Sequence, residues 1–414
     1  MTEHKGKIIT FYSFKGGMGR SMALANVAAL LSRWGMRVLV IDWDLEAPGI
    51  ECFFESVSKG IRSERKRQSG VVEMIGSFQS TGSLQWREAI MHVQIRPDSE
   101  PIDIMTAGRS DGSYIRRLQA IDWENLFSEG GLGNYLDEIR REWLDEYDYV
   151  LIDSRTGISD IGGITTILFP DILVLFFTTT NQSVDGVNDV MKRALKSQSR
   201  LPFDRTRLIG IPVPARDESH SERKLAQGWY KTFAKELGWI YKEWLPSNVT
   251  PRAVIDKIRI PYVPRWSFFE GIPVLEEGTD APESIGAAYE RLAKLLFFDC
   301  NWEEVERGPH PTDTTEVLMR LSQRDRGEYS LRFALAKEEE ANKNIKIGNH
   351  SDAVTPLMDA VNIYREFSKI SEIANRNLAR SLSNLAVVLS EIGNYQEALT
   401  TVREATEIHR QLVH

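Results

Sequence analysis

Residues 14–21 read Phe-Lys-Gly-Gly-Met-Gly-Arg-Ser and combine the residue types that hold a polyphosphate. Glycines at 16, 17 and 19 permit backbone dihedrals that turn successive N–H groups toward one anion, and a helix starting near Ser21 adds the positive end of its dipole. In such a loop Arg20 would contact the β- and γ-phosphates, and the Ser21 hydroxyl would ligate Mg²⁺. The strict pattern GxxxxGK[ST] is not met, because Phe14 stands where its first glycine belongs and Arg20 where its lysine belongs. Arginine keeps the positive charge but replaces a compact ammonium by a planar fork, a change expected to trouble hydrolysis more than binding. Three carboxylates accompany the loop. Asp42 and Asp44 follow the apolar run Met36–Ile41, and Asp153 follows Tyr149–Ile152. One aspartate there could simply cap the next helix, but three at corresponding places mark the end of a sheet where α/β folds bind ligands.

The elements that must position these residues are legible as periodicity. Lys7–Tyr12 is apolar and β-rich, and Ser21–Trp34 has small and apolar residues in helical spacing until Gly35 ends the helix. Met36–Ile41 is a continuous apolar run of the kind buried on both faces of a parallel sheet, so the first forty residues form a βαβ unit with the glycine loop at its first turn. Similar runs return at Tyr149–Ile152, Ile172–Phe177, Leu208–Val213 and Ile260–Val263, each separated by enough chain for a crossover helix. The expectation is an α/β fold, a doubly wound and mostly parallel sheet with helices on both faces, over residues 1–300. A polar linker with Pro309 and Pro311 is expected over 301–326.

Residues 327–414 read as all-helical repeats. Gly348-Asn349-His350-Ser351-Asp352-Ala353 recurs as Gly393-Asn394-Tyr395-Gln396-Glu397-Ala398 at an offset of 45 residues, where Ala360 also matches Ala405, Ile363 matches Ile408 and Arg365 matches Arg410. The second copy resembles a tetratricopeptide repeat with a long period, its small residues letting two helices approach and Tyr395 expected to fill the hairpin corner. Such arrays present a concave groove to a peptide or protein partner.

The bulk properties narrow the class. The formal net charge of −8 disfavours a chain-wide attraction to nucleic acid or anionic lipid. Two cysteines, Cys52 and Cys300, lie far apart and outside any metal-ligand spacing, which suits a reducing cytoplasm. The N-terminus lacks the organisation of a signal peptide, and no stretch approaches the roughly 18 apolar residues of a membrane span. The histidines, among them His92, His220 and His310, form no ligand spacing and no nucleophile triad.

With Lys15 in place, the loop KGGMGRS resembles the deviant Walker A motif KGGxGK[ST] of the ParA/MinD-like ATPases, with arginine as the departure. The resemblance spans about residues 5–300 and implies roles residue by residue. Lys15 matches the signature lysine that reaches across an ATP sandwich homodimer to phosphates held by the other subunit. Lys15, Gly16, Gly17, Met18, Gly19, Arg20 and Ser21 would hold ATP. Asp44 would orient or deprotonate the attacking water, Asp42 would support the hydrated Mg²⁺, Asp153 would be the Walker B aspartate, and Gly157 would sense the γ-phosphate. Pro101–Gly108 and Ile260–Val274 resemble further segments of the family. Many relatives place an adenine-binding Asn where this chain has Pro214, so the base must be read by backbone groups or another side chain, with Asn181 as a candidate.

Three functional classes share this core. A DNA-segregation ATPase would use basic surface such as Arg62, Arg65, Lys66 and Arg67, or Lys192, Arg193, Lys196 and Arg200, although solvated faces account for both. A membrane-binding ATPase would need a C-terminal amphipathic helix where the repeats stand. A nucleotide-controlled dimerisation switch that recruits a protein partner through its repeats uses both halves of the chain, and its motif pairing resembles bacterial stress and phage-defence systems. A nucleotide-binding scaffold with little or no hydrolysis is the alternative that Arg20 keeps open.

Overall fold

Lys7–Ser13 forms β1, and every residue after the first is buried. It is an interior strand of a seven-stranded sheet in a computed structural model that describes residues 6–82, 85–96, 99–156, 163–201, 205–314, 317–319, 328–368 and 372–413. The other strands are β2 (Val38–Asp42), β3 (Ile90–Val93), β4 (Ile102–Met105), β5 (Tyr149–Asp153), β6 (Ile172–Phe177) and β7 (Ile209–Pro214), in the order β3-β4-β2-β5-β1-β6-β7. All pairings are parallel except β3 with β4. Burial on both faces explains why β2, β5 and β6 read as unbroken apolar runs. The register places Asp42 directly beside Asp153, and Phe11 on the other side of Asp153. The carboxylates of two separate strands thus meet at the end of β1 where the glycine loop begins.

The helices of eight residues or more in this unit are α1 (Arg20–Arg33), α2 (Val71–Thr81), α3 (Leu132–Glu146), α4 (Asn181–Gln198), α5 (Arg223–Glu236), α6 (Pro251–Ile258) and α7 (Ile285–Phe297). Helix α1 is buried along nearly its whole length, because its alanines let it lie between the sheet and α7. Its Asn26 is fully buried yet satisfied: Nδ2 donates to the Met22 carbonyl at 2.8 Å and Oδ1 accepts from the Val274 N–H at 3.0 Å. That pair ties the first helix to a segment 248 residues later in the same unit.

The strand reading needs correcting at one place and was incomplete at another. Ile260–Val263 is not a strand of the sheet: only Asp217 and Pro261 form an isolated bridge, since Pro261 and Pro264 have no N–H to donate to a ladder. β3, a short antiparallel edge, escaped the sequence reading because its four residues carry no run long enough to distinguish it.

The chain divides into two compact units, at Gly308 and Pro309. Part of the stretch read as linker belongs to the first unit: Asn301 accepts from the Glu303 and Glu304 N–H groups and caps a short helix, Trp302–Arg307, whose Trp302 is buried.

In the second unit α8 (Glu328–Lys346), α9 (His350–Phe367), α10 (Glu372–Glu391) and α11 (Tyr395–Val413) pack consecutively. The sequence repeat is also a backbone repeat. Gly348 and Gly393 both take positive φ, 78° and 83°; the next residues, Asn349 and Asn394, donate backward to the Asn344 and Leu389 carbonyls, and their side chains donate to Asp352 and Glu397 at 2.6 Å. Ala360 and Ala405, matched in sequence, are both buried. Tyr395 departs from expectation: it is 69% exposed, because the Gly-Asn turn already closes the corner that it was expected to fill. The core of this unit also encloses Glu338, which accepts from Arg380 Nη2 at 2.6 Å, from the Tyr364 hydroxyl at 3.2 Å and from Ser381. Among the described residues no helix is long and apolar enough to cross a membrane.

Candidate functional site

The loop from Phe14 to Gly19 leaves the end of β1 with Gly17 at φ 73° and Gly19 at φ 78°, conformations open to glycine but strained for other residues. A methyl group at 16, 17 or 19 would meet nothing within 4 Å, so the glycines border open space as a ligand cradle requires. Gly19 is also the N-cap of α1. Met18 is buried, and Lys15 is half-exposed at the first bend. Phe14 has its own explanation: its ring lies against Gly186 of α4, where a Cβ would fall closer to the ring than any real contact allows. The aromatic residue that breaks the strict motif therefore anchors the loop to a helix that carries a glycine to receive it.

Arg20, at the first position of α1, is 6% exposed. Its Nε donates to Asp153 Oδ1 at 2.5 Å and its Nη2 to Asp44 Oδ2 at 2.8 Å, while Ser21 Oγ donates to the other Asp153 oxygen at 2.5 Å. Burial opposes the guanidinium charge, but Asp153 and then Asp44 outweigh it and hold the group protonated above its ordinary value. Nη1 is buried without a hydrogen-bond partner, a donor left over beside the cradle. One planar side chain thus joins the carboxylates at the ends of two strands, which a lysine, with a single point of charge, could not do in this geometry.

Asp42 is completely buried. Its Oδ1 accepts from the Asp44 N–H at 3.1 Å and its Oδ2 from the Gly49 and Ile50 N–H groups at 2.8 and 3.2 Å. It therefore holds the loop that carries Asp44. Burial first, then the charge of Asp153, pushes its carboxyl well above the usual range against those donors. Burial raises Asp153 as well, against the pull of Arg20 and Ser21. The loop of Asp44 is tied once more from outside, by Arg155 Nη2 to Glu46 Oε2 at 2.7 Å.

Two buried carboxylates in excess of their local counter-charge suit a cation, and Ser21 and Asp153 are the donors best placed to hold Mg²⁺, with Asp42 behind them. Among the described residues no group of three or more His, Cys, Asp and Glu could hold a metal by itself. Asn181 opens α4, is exposed, and is not among the residues lining the pocket beside Gly17 and Gly19. That pocket is lined instead by Arg216 and Tyr262, which sequence reasoning did not single out. Gly157 lies outside the described residues.

A parallel sheet with a glycine loop between its first strand and first helix, and acidic ends on the neighbouring strands, defines a P-loop nucleotide-binding domain. Residues 6–203 match the family described as an AAA domain, and residues 378–413 match the tetratricopeptide repeat. The chain thus carries a P-loop nucleotide-binding domain that matches the AAA-domain family, followed in sequence by a region that matches the tetratricopeptide repeat. It is 28% identical over 262 residues, 62% of this chain and 78% of the relative, to the iron-sulfur cluster carrier protein of Methanococcus maripaludis. Among solved structures it is similar to the septum site-determining protein MinD of Pyrococcus horikoshii complexed with Mg-ADP, at 20% identity and TM-score 0.45 over 72% of this chain and 99% of that one. A ParA family ATPase from Chlorobium tepidum has 19% identity and TM-score 0.44 over 69% and 98%.

Proposed function

We propose that the protein binds ATP with Mg²⁺ on the Lys15–Ser21 loop, dimerises around the nucleotide through Lys15, and uses hydrolysis to switch its assembly with a protein partner taken up by the repeats. The observation that carries this reading is the linkage of Arg20 to both Asp153 and Asp44. A side chain expected to touch β- and γ-phosphates holds the carboxylate expected to orient the attacking water, so phosphate contact would be coupled to the position of Asp44. Mg²⁺ at Ser21 and Asp153 would neutralise charge on the transferring phosphoryl group. The rest is the work of the chain: Gly16–Gly19 orient the phosphates, Arg20 neutralises them, Asp42 fixes the loop of Asp44, and Asp44 holds the water.

The scaffold reading draws on the same contact, because while Arg20 grips Asp44 that carboxylate is unavailable as a base. A phosphate-release assay separates the two. Turnover that disappears in Asp44→Ala while ATP affinity persists supports the switch; a wild type that binds ATP tightly without turnover supports the scaffold. Light scattering with ATP and Mg²⁺ tests the dimer, which Lys15→Ala should abolish; a monomer in every nucleotide state counts against it. The DNA reading is weakened at its first candidate patch, where Arg62 pairs with Glu270 at 3.0 Å and Arg65 with Glu51 at 2.8 Å. A stress or phage-defence setting is the biological context that the motif pairing suggests.

A further inference from the structure

The 45-residue repeat pairs each position of α9 with one of α11, and the burial of the two helices agrees on one side and parts on the other. On the side that meets its own hairpin partner each is closed: Ala353 and Ala360 are buried, as are Ala398 and Ala405. The opposite side of α9 is closed as well, by α10, where Leu357, Val361 and Tyr364 share one core with Leu378, Leu382, Leu385 and Leu389. The matching side of α11 is open. Leu399 is 47% and Val402 42% exposed, and Thr406 and His409, which stand where α9 buries Val361 and Tyr364, are exposed too. Tyr395, Leu399, Val402, Thr406 and His409 follow one another at i, i+4, i+7, i+11 and i+14, a single stripe on the helix surface. A charge at the edge repeats in the same way. In the closed interface Arg365 of α9 donates from Nε and Nη2 to Glu404 of the following hairpin at 3.1 and 3.0 Å, and from Nη1 to Asn362 at 3.4 Å. Its counterpart Arg410 repeats the internal contact, from Nη1 to Glu407 at 3.4 Å, and its side chain is 71% exposed.

The repeats thus show within themselves what closes such a face, and we infer that the open side of α11 docks a helical hairpin of a partner protein, stacked as α10 and α11 stack on α9. The inference names the surface for the partner reading above and rests on that reading. The chemistry of the occupant follows from the closed interface. Its first helix carries leucine-like side chains at i, i+4, i+7 and i+11, the spacing of the four leucines of α10, and its second carries a carboxylate for Arg410. A second copy of this chain supplies neither. At the equivalents of the four leucines α8 has Phe333, Lys337, Glu340 and Asn344, with Lys337 paired to Glu340 at 2.9 Å, so head-to-tail stacking would bury an ion pair against the apolar stripe. Pairing α11 with its own copy about a two-fold axis at Val402 would set Arg403, which borders the stripe, against the same arginine of the copy.

The test is fluorescence anisotropy of the full chain, without nucleotide, against a fluorescein-labelled peptide copying residues 372–413. In the folded chain the leucines of α10 are buried, so the free peptide, which carries them together with Glu404, stands in for the partner hairpin. Leu399→Glu and Val402→Glu change exposed positions and leave the core of the repeats intact, and each is expected to weaken binding about 10-fold or more, as a residue central to an interface does. Arg410→Glu should weaken it about 5-fold, and a peptide carrying Glu404→Arg should restore the loss, a rescue that damage to the repeats would not allow. Binding that survives both Leu399→Glu and Val402→Glu overturns this inference alone, for the repeats then recruit helices through another face. Absence of binding to the wild type overturns it together with helix recruitment by the repeats. A nucleotide-free dimer in light scattering that Val402→Glu dissolves gives the face to a second copy and overturns the partner hairpin.

Discussion

Replacing Arg20 by methionine keeps much of the side-chain volume but removes the only cation that reaches both Asp153 and Asp44 among the described residues. Both pairs are nearly out of water, with Arg20 6% and Asp153 2% exposed. Breaking a buried pair by removing one partner costs about 3–5 kcal/mol, because the other charge is left without compensation. For a unit that ends at Gly308, an unfolding entropy of about 2.1 cal/mol/K per residue sums to roughly 0.6 kcal/mol/K, so the melting temperature should fall by about 5–8 °C. The pH dependence carries its own sign. Burial already raises Asp153, and without Arg20 its folded-state pKa rises further above the unfolded value. A group whose folded pKa lies higher takes up a proton on folding, so stability lost at high pH returns as the pH falls toward the unfolded value. The gap between wild type and Arg20→Met, read by thermal denaturation without nucleotide, should therefore be widest near pH 8 and narrow toward pH 5. A gap below about 2 °C, or one constant across that range, would refute the reasoning, since neither is compatible with an orphaned buried carboxylate.

Gly186→Ala places a methyl group into the ring of Phe14. Overpacking of this kind costs about 1–3 kcal/mol, and because Phe14 begins the phosphate loop, ATP affinity measured by titration should drop while the helical signal in circular dichroism remains; affinity within twofold of wild type would detach Phe14 from loop positioning. In the second unit Leu357 is fully buried, so Leu357→Ala should cost about 2–5 kcal/mol, seen as a lowered transition for the repeats by calorimetry with the nucleotide-binding transition unmoved. A shift in both transitions would mean that the two units unfold together.

Much of this protein was legible in its sequence. Runs such as Val38–Ile41 and Ile172–Phe177 are apolar throughout because both sheet faces are covered, and a period of two or of 3.6 survives without knowledge of any partner. The glycine loop, the three aspartates and the 45-residue repeat are likewise local facts, since turn chemistry and strand ends are set by neighbours along the chain. The tertiary structure alone decided what those residues touch. That Phe14 has a purpose depends on a glycine 172 positions away. That Ile260–Val263 makes one bridge and not a strand shows in its packing, where only Pro261 pairs, and it pairs with Asp217 beyond the end of β7. Arg20 looked like a phosphate ligand with an awkward shape, and the register of β2 beside β5 turned it into a clasp between two carboxylates. The tie from Arg216 to the Gly17 carbonyl was invisible in the sequence, for it depends on a positive φ and on a ring 46 residues downstream. Local pattern dictates which elements form, because hydrogen bonding and amphipathicity repeat at short range. The site lies where those elements converge, and convergence is a property of the packed sheet.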